Sequence, residues 1–128
     1  MHEETNIVRR IMLAFSKIKG VKIFRNNTAS GWAGQSHLLN NGDRVIKNPY
    51  PLKAGLCVGS SDLIGFKSIE ITPEMVGKSV AVFLACEVKT ISGKATPEQI
   101  NFIEMVNKNG GIGIIARDEE EAFNLINR

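Results

Sequence analysis

Hydrophobic and polar positions alternate along the chain in patterns that predict both helices and strands. Apolar residues recur at helical spacing over residues 4–18, and Gly20 marks the end of this first helix. Alternation with a period of two predicts a strand at residues 21–26 and extended structure within residues 55–71. Residues 80–89 are apolar at both parities until their end, which predicts a central strand buried on both faces.

The last third of the chain carries clear start and stop signals. Thr96 and Pro97 predict the start of a helix, and Gln99 stands at the spacing of a capping box. Residues 112–116 predict a strand, and Asp118 is a candidate cap for a final helix. The order helix, three strands, helix, strand, helix (α-β-β-β-α-β-α) predicts an α/β fold with a mixed sheet flanked by helices.

Between the first two predicted strands lies an excursion over residues 28–53 that is rich in turn-forming residues. We interpret it as a loop or hairpin near a binding surface. Its Trp32 and Tyr50 are the single tryptophan and the single tyrosine of the chain. These side chains either stack on nucleic-acid bases or cover the edge of a core, and the residues alone leave both alternatives open.

Length and composition predict one cytoplasmic domain. The 128 residues, 43% of them hydrophobic and 23% charged, fit a single globular domain over residues 1–128. The chain has neither an apolar run of membrane-spanning length nor a signal peptide, so we expect no membrane association. Cys57 and Cys86 are expected to be reduced thiols, with Cys86 on the buried strand.

Charge makes a polyanionic partner plausible without identifying one. The formal net charge is +3 and the pI is about 9.0. Positive charge is concentrated in the first 25 residues, at Arg9, Arg10, Lys17, Lys19, Lys22 and Arg25. This distribution raises the expectation of a nucleic-acid partner.

Several ionisable residues stand where a structural role is not the only explanation. Glu87 and Lys89 lie two apart and would share a face of the strand, either as an ion pair or as part of a site. Glu4 continues the apolar stripe of the first helix, although it or Glu3 could simply favour the helix dipole. Asp62 enters a strand at its polar end.

Together these residues resemble a known family. Asp62, the triplet Glu87-Val88-Lys89, the helix start ending in Gln99 and the glycines at 110–113 are similar to the VRR-Nuc (virus-type replication-repair nuclease) domain. This domain belongs to the restriction-endonuclease-like PD-(D/E)XK superfamily, and the resemblance extends from Glu4 to the last strand. One departure is that Ser61, rather than proline, precedes the aspartate.

The resemblance implies a set of roles for these residues. Asp62, Glu87 and the backbone carbonyl of Val88 would bind Mg²⁺ or Mn²⁺, a hard cation that prefers oxygen ligands. Lys89 would polarise the attacking water, and Gln99 would orient Lys89 or the water in addition to capping its helix. Glu4 would hold a water of the metal shell or assist a second ion, with Glu3 as the fallback.

A free-standing domain of this size is similar to the phage-type members that act as homodimers on branched DNA. The resemblance therefore implies a metal-dependent DNA-repair endonuclease that resolves Holliday junctions, working in the host cytoplasm if phage-encoded. The alternatives are a flap or nicking nuclease of the same superfamily, or a DNA-binding module without catalysis. We expect DNA contacts at Arg9, Arg10, Arg25, Trp32 and Lys94.

Overall fold

The computed structural model describes residues 2–127 and has an α/β fold, as the sequence predicts. Its three helices and six strands follow in the order α1 (His2–Ser16), β1 (Val21–Arg25), β2 (Ala29–Leu38), β3 (Arg44–Ala54), β4 (Leu63–Lys67), β5 (Leu84–Val88), α2 (Pro97–Lys108), β6 (Ile112–Ala116) and α3 (Glu119–Ile126). A short 3-10 helix, Pro73–Met75, precedes β5. None of the helices in this part of the chain is long and apolar enough to cross a membrane.

Within residues 2–127 the strands form three two-stranded sheets, β1 with β4, β2 with β3, and β5 with β6. The first two pairs are antiparallel and the third is parallel, so both strand directions predicted for a mixed sheet are present. The sequence had favoured one sheet, whereas the described strands pair only two by two. Hydrophobic alternation identifies a strand but not its neighbours, because pairing depends on contacts far along the chain.

The chain separates into two compact units. The first comprises residues 1–17 and 23–65, and the second comprises residues 18–22 and 66–128. Strands β1 and β4 each contribute residues to both units. The prediction that residues 1–128 form one nuclease domain stays a prediction.

The first unit contains the predicted excursion as a long hairpin, β2–β3. Its strands reach from Ala29 to Ala54, so more of the segment is extended than its sequence indicated. A bulge interrupts the pairing where Asn48 adopts a positive φ of 51°. A Cβ on the opposing Gly34 would lie 2.6 Å from the carbonyl oxygen of Lys47, so only glycine fits there. Almost all residues of the hairpin are exposed.

Helix α1 of the first unit begins at His2 and ends at Ser16, two residues before each predicted bound. Val8 is its buried residue, whereas the predicted inward residues Ile7, Ile11 and Phe15 are 37–40% exposed. The inner face of the helix is therefore narrower than its apolar stripe suggested. A stripe reports which residues can be buried, and tertiary packing decides which of them are.

The second unit is organised around the parallel pair β5–β6 and the helices packed against it. Helix α2 packs on both strands and α3 packs on β6. Ile103 and Val106 of α2 are buried, as are Ile114 and Ala116 of β6. A Cβ on Gly113 of β6 would lie 2.7 Å from the Ile103 carbonyl oxygen, so α2 packs closely on the face of the strand that carries this glycine. Because α2 connects two adjacent parallel strands, this βαβ arrangement matches the one predicted from the last third of the sequence.

The prediction of a central strand buried on both faces at residues 80–89 is wrong. Strand β5 covers only Leu84–Val88, and Val80 and Val82 precede it outside the strand. The odd-numbered residues are half-buried, whereas Leu84 and Val88 on the other face are 48% and 73% exposed. Within the described residues β5 has one neighbouring strand, so an apolar run does not guarantee burial on both faces.

The same correction applies to Cys86. This residue lies on the exposed face of β5 rather than in a core, and Cys57 is exposed too. Both cysteines are free, as their small number predicts, although the buried position expected for Cys86 is not observed.

Candidate functional site

Two of the predicted site carboxylates, Glu4 and Asp62, meet in the first unit. They line one cavity of about 220 Å³, whose wall consists of Glu4, Thr5, Val8, Arg25, Asn27 and Asp62. Glu4 comes from the first turn of α1, Arg25 is the last residue of β1, and Asp62 immediately precedes β4. Three separate elements therefore bring two carboxylates and one guanidinium to the same opening.

The position of Asp62 follows from the pairing of β1 with β4. The backbone N–H of Asn26 donates a 2.8 Å hydrogen bond to the carbonyl oxygen of Asp62. Asp62 thus enters β4 from its polar end, as predicted, opposite the residue that follows β1. Its side chain and that of Glu4 are both exposed, so water or a ligand can reach them. Among the described residues, Glu4 rather than Glu3 lines the cavity.

Glu87 and Lys89 lie in the second unit, on the half-buried face of β5 and just beyond its end. The Lys89 Nζ is 3.0 Å from the Glu87 Oε1, and the two side chains are 18% and 27% exposed respectively. The prediction that the two share a face is confirmed. They form the ion pair that was one of the two alternatives, and burial makes such pairing favourable because an isolated half-buried charge is costly.

Gln99 has the predicted structural role at the start of α2. Its Oε1 accepts a 2.9 Å hydrogen bond from the backbone N–H of Thr96, and its own N–H donates to the Thr96 Oγ1 at 3.2 Å. This reciprocal pair is a complete capping box. Gln99 also lines a cavity of about 460 Å³ in the second unit, together with Glu87 and Glu98. Gln99 and one of the predicted metal ligands, Glu87, therefore line the same cavity.

The residues predicted to contact DNA are all exposed. Arg25 lines the cavity that contains Glu4 and Asp62. Trp32 lies on the hairpin and is 64% exposed. Its side chain therefore does not cover a core within the first unit, which was one of the two alternatives. Arg9 and Arg10 are on α1, and Lys94 is in the loop before α2.

The donors at the first cavity have the chemistry that Mg²⁺ or Mn²⁺ requires. Two carboxylates line it, and Mg²⁺ is commonly held by one or two protein carboxylates while water and phosphate oxygens complete its shell. Among residues 2–127 no group of three or more His, Cys, Asp or Glu side chains is arranged to hold an ion. Two carboxylates would leave most coordination positions of such an ion to water or other oxygen ligands.

Sequence reasoning missed two residues at this site, Asn26 and Asn27. Asn27 lines the cavity, and the preceding residue, Asn26, is polar and buried, only 8% exposed. Their sequence signal was the Asn-Asn pair at the end of a strand, which indicates a turn. Nothing in that pair alone distinguishes a turn residue from a buried one.

No family model, curated protein or solved structure matches the chain. The resemblance to VRR-Nuc nucleases therefore stays a prediction carried by Asp62, the Glu87-Val88-Lys89 triplet and Gln99.

Proposed function

We propose that this protein is a metal-dependent endonuclease that hydrolyses phosphodiester bonds in branched DNA. The observation that carries the proposal is the cavity shared by Glu4, Asp62 and Arg25. Two carboxylates beside a guanidinium suit a divalent cation together with a phosphate group, because the carboxylates bind the cation and the guanidinium binds the phosphate. A module that only binds DNA has no need of such carboxylates.

Mg²⁺ or Mn²⁺ is the proposed cofactor, with Asp62, Glu87 and the backbone carbonyl of Val88 as its ligands by resemblance. When bound, it would polarise a phosphate oxygen and favour deprotonation of the attacking water. Glu4 lines the same cavity as Asp62, so it can accept a hydrogen bond from a water molecule there. Arg25 would hold the scissile phosphate by charge-assisted hydrogen bonds.

Lys89 and Gln99 are the proposed groups that act on the water. The Lys89 ammonium already donates to the Glu87 carboxylate, which limits its orientation. A positively charged donor held in place stabilises negative charge that develops on the phosphate without having to reorganise. The Oε1 of Gln99 is occupied by its cap, and its amide NH₂ is the part of the side chain that would orient Lys89 or the water.

The proposed partners are branched DNA and a second copy of the chain. The basic side chains of Arg9, Arg10 and Lys94 are exposed, which supports contacts with DNA phosphates. Such contacts position a duplex on the protein without recognising its base sequence. Large exposed side chains on the hairpin, including Trp32, Tyr50 and Leu52, support association of this surface with another macromolecule. A two-fold dimer would cut two strands symmetrically, as a four-way junction requires.

A substrate panel tests the proposal. The protein is incubated with Mg²⁺ or Mn²⁺ and a four-way junction, a flap or a linear duplex, with EDTA as the control. We expect paired cuts at the junction and little cleavage of the duplex. Binding without cleavage would contradict the enzyme, equal cleavage of all three would contradict the junction preference, and preferred flap cleavage would favour the alternative nuclease. A monomer in sedimentation at the assay concentration would contradict paired incision.

A further inference from the structure

Asn26 stands at the centre of the hydrogen bonds behind the first cavity. It is the buried polar residue of the described chain, and every polar group of its side chain is used. Its Nδ2 donates to the Ser60 Oγ at 2.7 Å and to the Ser61 carbonyl oxygen at 2.9 Å. Its Oδ1 accepts from the Leu56 N–H at 2.9 Å.

These bonds all reach one segment, residues 56–62, which ends at Asp62. The backbone N–H of Asn26 adds the 2.8 Å bond to the carbonyl oxygen of Asp62 itself. One residue therefore holds the segment at its start, near its end and at its last residue. A loop without such bonds would sample many backbone conformations, because each residue that becomes ordered loses conformational entropy that the bonds must offset.

Close packing at the start of the segment supports the same conclusion. Gly55 adopts a φ of +84°, and a Cβ there would lie 2.7 Å from the Thr28 Cγ2 and 2.9 Å from the Asn27 carbonyl oxygen. Because Gly55 has no side chain, the backbone at this residue can pass close to Asn27 and Thr28. The next residue, Leu56, then donates its N–H to the Asn26 Oδ1. Asn27, the next residue, lines the cavity with Asp62.

We infer that Asn26 is a positioning residue that fixes the Asp62 carboxylate at the wall of the cavity. Asn26 does not line the cavity and acts through the 56–62 segment, and the inference rests on the proposed metal-binding role of Asp62. Groups that orient metal ligands typically change metal affinity or activity by about 10- to 100-fold when they are removed. The buried amide would thus serve the site in addition to the fold.

The test measures Mn²⁺ binding by electron paramagnetic resonance without DNA, and melting temperature and junction cleavage alongside it. The variants are Asn26→Ala, Asp62→Asn and the control Asn41→Ala. The Asn41 side chain also donates one hydrogen bond and accepts another, but both are made with Asp43 in the hairpin turn. We expect Asn26→Ala to weaken Mn²⁺ binding about tenfold or more, with cleavage partly recovered at high Mn²⁺. Asn41→Ala should leave Mn²⁺ affinity unchanged.

A second substitution covers the possibility that Asn26→Ala does not fold. Ser60→Ala removes the Oγ that accepts from the Asn26 Nδ2, but it buries no charge and leaves the bonds of Asn26 to Leu56, Ser61 and Asp62 in place. We expect it to fold and to bind Mn²⁺ more weakly than the parent protein.

The outcomes separate the two proposals. Weakened Mn²⁺ binding in Asp62→Asn but parental affinity in Asn26→Ala, or in Ser60→Ala if Asn26→Ala does not fold, would overturn the positioning role and leave the proposed function standing. Equal Mn²⁺ affinity in the parent, Asp62→Asn and Asn26→Ala would contradict the role of Asp62, and both proposals with it. Asn26→Ala could instead lose cleavage in proportion to the fraction of protein that no longer folds, with no recovery at high Mn²⁺. That result would overturn the positioning role and assign Asn26 a purely structural one.

Discussion

The acidic groups of the two units differ in how the protein accommodates them. Glu87 is half-buried on β5 and forms a 3.0 Å ion pair with Lys89. Glu4 and Asp62 are exposed carboxylates that share a cavity with Arg25. The first carboxylate is neutralised by a neighbour two residues away in the sequence, whereas the other two are neighbours only because α1 and β4 bring them together.

The paired carboxylate and the two exposed carboxylates therefore differ in how readily they can bind a cation. A paired half-buried carboxylate is stable without a metal, because the ammonium offsets most of the cost of burying it. Exposed carboxylates that line one cavity keep their hydration and can exchange it for a cation. The ion pair alone is thus compatible with a structural role, and the cavity of the first unit is the stronger sign of a site.

The largest expected effect breaks the ion pair. Glu87→Gln should lower junction cleavage by about 10³-fold, because it removes a proposed metal ligand that stabilises the transition state by several kcal/mol. The melting temperature should fall as well, because the substitution leaves the Lys89 ammonium, only 18% exposed, without its partner carboxylate. Single-turnover rates and melting temperature check the two parts. Normal cleavage with a lowered melting temperature would make the pair purely structural.

The second substitution tests the exposed pair. Glu4→Gln should reduce cleavage by about 10- to 100-fold, as expected for a group that orients water or assists a metal. Glu3→Gln is the matched control, because it changes the same charge on the same helical turn outside the cavity. Initial rates at saturating Mg²⁺ distinguish them. Equal losses in both variants would indicate a helix-dipole effect rather than a site.

A third substitution separates the two roles of Gln99. Gln99→Glu should preserve stability, since glutamate supplies the same oxygen to the capping box, yet reduce cleavage about tenfold by removing the amide NH₂ donor. Gln99→Ala should in addition destabilise the protein by about 1 kcal/mol. Urea unfolding and cleavage rates measure both effects. Full activity in Gln99→Glu would confine this residue to capping.

The smallest expected effect concerns the hairpin. Trp32→Ala should weaken DNA binding about fivefold, corresponding to about 1 kcal/mol for the loss of one stacked base. Leu38→Ala is the control, because Leu38 is 63% exposed on the same hairpin and has no aromatic face. Fluorescence anisotropy with labelled junction DNA in Ca²⁺ measures the affinities. Identical affinities in the two variants would argue against stacking.

Features set by near neighbours in the sequence were predictable. The capping box of Thr96 and Gln99, the strand Ile112–Ala116 and the cap at Asp118 agree with the structure, because residues at most four positions apart determine them. The shared face of Glu87 and Lys89 follows equally from strand periodicity.

Features set by distant contacts were not predictable. The exposed face of β5 and the narrow inner face of α1 depend on what packs against them, which an apolar pattern does not specify. Asn26 escaped notice for the same reason, since its side-chain partners lie 30–35 residues away. The meeting of Glu4 with Asp62 was inferred only through the family resemblance, and the structure places both in one cavity.

The most direct test of the central claim is Mg²⁺-dependent cleavage of a four-way junction by the parent protein and by Asp62→Asn. The account predicts cleavage by the parent that EDTA abolishes, and a loss of about 10³-fold in the variant while junction binding is retained. Cleavage by Asp62→Asn at the parental rate, or a parent protein that binds the junction but leaves it intact at every Mg²⁺ and Mn²⁺ concentration, would contradict it.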